Sequence, residues 1–121
     1  NKLFTDTRTI AASGTDSLDL NGVLLDAFGA TLNFTKIRAI IVAADAGNTN
    51  DVVVGGAASN GFVSWVGAAT DKVKVKPGGL FMMVAPDVNG LAVTAATADI
   101  LQVANGGAGS SVNYTITVIG S

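Results

Sequence analysis

Val112, Tyr114, Ile116 and Val118 alternate with Asn113, Thr115 and Thr117 along the last strand-like run of the chain. A period of two sends the first set to one face and the second to the other, so 112–119 reads as a strand buried on one side only. A shorter alternation occupies KVKVK at 72–76, where Lys72, Lys74 and Lys76 share one face while Val73 and Val75 share the opposite one. In 31–43 the phase breaks: Leu32 and Phe34 point one way, whereas Ile37, Ala39 and Ile41 take the other parity and leave Lys36 and Arg38 outside. A bulge or bend near Thr35 reconciles the two halves. Further runs rich in β-branched and apolar residues lie at 3–11, 17–20, 51–55, 62–66, 79–85, 91–95 and 99–104. Some of these merge or fail, so about eight or nine strands are expected.

Turn signals separate the runs: NG at 21–22, 60–61, 89–90 and 105–106, PGG at 77–79, and GGAGSS at 106–111. Such regular punctuation favours a single all-β domain over residues 1–121, an antiparallel β-sandwich rather than a parallel sheet. Only GVLLDAF (22–28) lacks β-branched density; at most one short helical turn is expected there, with Asn21 as its cap and Asp26 outside. The triplet AA[ST] recurs at 11–13, 57–59, 68–70 and 95–97 without a fixed interval, so no repeat architecture follows. In FVSWV (62–66) both faces carry apolar weight, which places Trp65, the one tryptophan, in the core; an interface anchor is the alternative.

Composition sharpens this picture. The chain is 49% hydrophobic with a mean hydropathy of +0.50 and only 13% charged, against roughly a quarter charged in an ordinary soluble domain. Surfaces shared by permanently associated subunits lose charge in this way, so an obligate assembly is expected. The apolar stretches AIIVAA (39–44) and LFMMVA (80–85) are far below the roughly 18 to 20 residues of a membrane span, so no membrane association is expected. NKLFTDTRTI lacks the basic start and apolar run of a signal peptide. A processed start reads the same, and export stays open.

Little chemistry is available. The chain has no His, Cys or Glu, which removes most general bases, zinc ligands and nucleophile activators, and neither an enzyme nor a cofactor is expected. Ser64 beside a stripe lysine could form a Ser–Lys dyad, but an exposed strand serine is the better reading. Asp19 and Asp26 flank a turn and read as backbone hydrogen-bond acceptors. DAGNTND (45–51) gathers Asp45, Asn48, Asn50 and Asp51, yet Gly47 and Thr49 stand where a calcium loop needs ligands, so it reads as an Asx-rich hairpin turn. GGAGSS is followed by neither lysine nor helix and reads as a flexible loop. The stripe of Lys72, Lys74 and Lys76 is either a grip for a polyanion or the wet face of a sheet. With Lys2, Arg8, Lys36 and Arg38 as the only other cations against nine aspartates, nucleic-acid binding is not expected.

VKVKPGGLFMMVAP (73–86), NGLAVTAATADILQVANGG (89–107) and VNYTITVIG (112–120), with LDLNGVLLDAFGATLNFTKIRAIIVAA (18–44) upstream, resemble a family of small virion proteins of tailed bacteriophages, the capsid decoration or cement proteins. The resemblance covers most of the chain and rests on turn glycines and strand patterns. It implies a jelly-roll-like sandwich and a structural role on the capsid exterior. The implied partners are the major capsid protein and copies of the chain itself, as a trimer. The lysine stripe then reads as a charged edge strand or a polar contact to an acidic capsid surface, with Trp65 as a further interface residue. Two other readings are a carbohydrate- or receptor-binding module, with a cleft built from Trp65, Tyr114 and loop 45–51, and a filament subunit with strands paired between chains.

Overall fold

In chain order the strands are β1 (Lys2–Ile10), β2 (Thr15–Asp19), β3 (Asn21–Leu25), β4 (Thr31–Asn33), β5 (Lys36–Ala44), β6 (Val52–Gly55), β7 (Lys72–Val75), β8 (Leu80–Val84), β9 (Leu91–Ala92), β10 (Ile100–Asn105) and β11 (Val112–Gly120). These come from a computed structural model that describes residues 1–121. The alternation at the C-terminus becomes β11, whose inward set Val112, Tyr114, Ile116 and Val118 is fully buried. β11 lies between β1 and β5 in a sheet ordered β1-β11-β5-β8, with β9 pairing the start of β5. A four-stranded sheet, β2-β10-β6-β7, forms the second layer, and β3 with β4 makes a separate hairpin.

The eight principal strands pair in nested fashion: β1 with β11, β2 with β10, β5 with β8, and β6 with β7, each pair antiparallel. This is a long hairpin rolled into two facing sheets, the jelly-roll arrangement. Between their inner faces, and closed off by loops and the β3–β4 hairpin, lies one cluster of 23 buried hydrophobic residues, among them Phe34, Ile40, Val54, Leu101 and Tyr114.

Four expectations are corrected. Residues 22–28 form no helical turn. Val23, Leu24 and Leu25 extend along β4, and Asp26 then closes the turn by accepting the N–H groups of Phe28 (2.8 Å) and Ala30 (2.9 Å). Asn21 caps nothing; its amide donates to the Phe34 carbonyl at 2.9 Å. The 31–43 run splits into β4 and β5, broken at Phe34 and Thr35 as foreseen, but a second phase change follows at Arg38. There β5 slips by one residue against β11, so Ile37 and then Ile40, Val42 and Ala44 face inward, while Ala39 and Ile41 face out. Gly120 sits opposite this bulge, where a Cβ would collide with the Lys36 carbonyl oxygen. The 62–66 run is a turn-rich loop, because its apolar residues on both faces cannot both be satisfied by one edge of a sheet. Phe62 and Trp65 instead plug the core from outside the strands.

The last correction concerns 106–111, which is pinned rather than loose. Buried Asn105 donates to the carbonyls of Ser110 (2.7 Å) and Ala11 (3.2 Å) and accepts from the Gly107 N–H at 3.1 Å. Asn50 reaches in beside it, donating to Asn105 Oδ1 at 3.0 Å and to Ser110 O at 3.0 Å.

Candidate interaction surfaces

The two sheets turn different faces outward. On the β1-β11-β5-β8 sheet the register aligns three rows of outward side chains: Leu3, Ile119, Ala39, Val84; then Thr5, Thr117, Ile41, Met82; then Thr7, Thr115, Ala43, Leu80. None of the twelve is charged. The inward parity takes most of the bulky aliphatic and aromatic residues, and the outward parity is left with threonine, alanine, the alternating residues of LFMMV and the aliphatics Leu3, Ile41 and Ile119. Its polar atoms are partly satisfied within the sheet, since the hydroxyls of Thr5 and Thr117 (3.2 Å) and of Thr7 and Thr115 (3.0 Å) bond across the strands. Lys36 and Arg38 frame one end, both donating to the Val88 carbonyl at 3.0 and 3.1 Å.

The other sheet presents an ordinary wet face. β7 is its edge strand, and Lys74 lies opposite Val53 and Lys72 opposite Gly55. Lys72, Lys74 and Lys76 are exposed while Val75 is buried, as the alternation requires. Lys76 pairs with Asp51 at 3.0 Å, an exposed pair of small energetic weight. A row of lysines along a free sheet edge blocks stray strand pairing, and this placement suits that purpose.

Trp65 is not available to a partner. It lies in the core, its Nε1–H donates to the Phe62 carbonyl at 2.9 Å, and its ring tilts against Phe81 with centroids 5.6 Å apart. The interface-anchor alternative is therefore corrected: the ring fills the space over Gly55, where its carbons would lie 3.2 Å from an added Cβ. Tyr114 is buried too, so the cleft required for sugar stacking is not built from these two rings. The aromatic that does stand in solvent is Phe28, 96% exposed at the β3–β4 turn. Ser64 donates its hydroxyl to the Ala92 carbonyl at 2.9 Å rather than to a lysine.

A polar cluster that the sequence reading missed closes the open side between β1 and β2. Tyr114 donates its hydroxyl to Asp16 at 2.6 Å, the Arg8 guanidinium grips both oxygens of Asp16, and Arg8 also reaches Asp6 at 3.2 Å. Burial, and then the hydrogen bond to Asp16, push the Tyr114 hydroxyl well above the usual tyrosine range; the hydrogen bond to Asp16 also raises Arg8. The signal was present: Asp6 and Arg8 share the inward parity of Phe4 and Ile10, where a charge needs a partner. Every member of the cluster is partnered, which makes it a clasp between the sheets.

The Asx-rich loop 45–51 is likewise structural. Asp45 accepts from the Gly47 N–H at 3.1 Å, and Asn48 exchanges two hydrogen bonds with the backbone of Asn113 at 2.9 Å each. Asp19 and Asp26 act as turn acceptors, as foreseen. No group of three or more His, Cys, Asp or Glu side chains gathers in metal-binding geometry. Comparison with protein-family models, with curated proteins and with solved structures gives no match.

Proposed function

We propose that the chain is a structural virion subunit, a decoration or cement protein that reinforces a tailed-phage head by burying area against the major capsid protein and against copies of itself. The observation that carries this reading is the outer face of the β1-β11-β5-β8 sheet, twelve outward side chains without a charge in a protein whose other sheet is edged by lysines. A large uncharged face rimmed by polar groups marks a surface that spends its life against another protein. The jelly-roll order, a fold recurrent in capsid and lectin domains, is compatible with this role, and the sequence resemblance supplies the virion context.

The direct test is addition of purified protein to phage heads stripped of their surface proteins. Saturable co-sedimentation and a raised temperature of head disruption are the expected results. Failure to bind any head, together with glycan binding by the isolated protein, would replace this reading with the carbohydrate-module one.

A further inference from the structure

The uncharged sheet face also indicates what sits on it. Leu3, Leu80, Met82, Val84 and Ile119 are each between 39 and 60% exposed. Together these five side chains show on the order of 450 Å² to solvent, which matches the largest apolar patch of a typical monomer. With Ile41, the threonines and the alanines between them the face offers roughly 800 Å², on the order of one partner's share of a standard interface.

Its chemistry favours one occupant over others. Across a two-fold axis each residue of the patch meets another residue of the same patch, so a patch of one charge sign meets like charge, whereas an uncharged one meets no repulsion. Strands β1, β11, β5 and β8 present this face four strands wide, and two such faces can pack as sheets do inside a sandwich, about 10 Å apart and crossed by about 30°. We propose that this face seats a second copy of the chain, sheet on sheet across a two-fold axis; the proposal rests on the reading of the protein as a structural subunit. An isologous contact closes at two copies, so the unit is a dimer rather than the trimer the resemblance implies.

The test uses the whole protein in two ways. Leu80→Lys with Met82→Lys places charge on both copies of the face, where the contact would have to bury it. Sedimentation should show wild type as a dimer and the double variant weakened by about 100-fold in dimer affinity, with both variant and wild type cooperatively folded by circular dichroism. Independently, the chain has no cysteine, so single cysteines placed at Thr5, Ile41, Thr117 or Met82 in the middle row report the axis directly. At least one should oxidise to a disulfide-linked dimer, whereas Lys74→Cys on the other sheet should stay reduced. A wild type monomeric at about 100 µM, a hundredfold above a micromolar Kd, would overturn the pairing. So would a trimer, or middle-row cysteines that all remain free. Head binding separates the two readings: a monomer that decorates heads overturns the dimer face and leaves the virion role standing. A dimer that binds no head supports the face and sinks the role.

Discussion

Trp65→Ala tests whether the loop between β6 and β7 is part of the core or merely drapes over it. The indole is buried, tilted against Phe81 and hydrogen-bonded through Nε1 to the Phe62 carbonyl. Removing about 200 Å² of buried side chain forfeits about 5 kcal/mol at 25 cal/mol per Å². The orphaned Phe62 carbonyl adds about 1 kcal/mol. Residues 56–71 contain no strand and can partly collapse into the space, which reduces the net cost to about 3 to 5 kcal/mol. Urea unfolding followed by circular dichroism measures it, since the variant carries no tryptophan fluorescence. Trp65→Phe retains an aromatic ring but loses the hydrogen bond and some volume, so its cost should be about 1 to 2 kcal/mol. In wild type the single indole should emit in the blue-shifted range of a buried ring. A loss below about 1 kcal/mol for the alanine variant, or a solvent-like emission, would refute the packing argument and return the ring to the surface.

Two further outcomes follow from the clasp and the stripe. The Tyr114 pKa is raised on folding, so its stabilising contribution is complete below the unfolded value of about 10 and is lost as pH climbs beyond it, by up to about 1.4 kcal/mol per pH unit. Tyr114→Phe should flatten the alkaline limb of an unfolding-midpoint profile, and identical limbs would show that another group governs it. Changing Lys72, Lys74 and Lys76 together to Ser should cost no more than about 0.5 kcal/mol each, and wild type should show no appreciable DNA binding at physiological salt in a gel-shift titration. Tight DNA binding that the triple variant loses would overturn the structural reading of the stripe.

The parts of the fold legible in the sequence are those where one face is plainly apolar. In β11 and the lysine strand the facing of the side chains was readable, with the C-terminal end one residue off in each, because period-two alternation admits one arrangement of inward side chains. β5 was not, because AIIVAA is apolar on both parities and only the bulge at Arg38 decides which residues point inward. That same ambiguity hid the candidate surface. An outward Ile41 or Met82 looks like core until the register shows the neighbours beside it. The 22–28 segment misled for a different reason: its leucines carry no strand propensity, and pairing with β4 overrode local preference. The clasp of Arg8, Asp16 and Tyr114 joins residues separated by up to 106 positions, a meeting that only the β1–β11 ladder creates.

Nested pairing also dictates a timetable for the nascent chain. β1 leaves the ribosome ahead of β2 to β11, yet its only ladder partner is β11, so Phe4 and Ile10 wait through the synthesis of about a hundred residues before residues 112–120 exist to pair with them. Within the two facing sheets β6 and β7 meet first, β5 gains β8 next, and β10 then reaches back to β2, so these sheets are assembled from the middle of the sequence outward. β11, one of the two inner strands of the larger sheet, arrives after the ten other strands. Until it does, the apolar row of β5 has one neighbour instead of two, and the uncharged outer face does not yet exist as a continuous surface. That face thus forms only when residues 112–120 are in place beside β1 and β5.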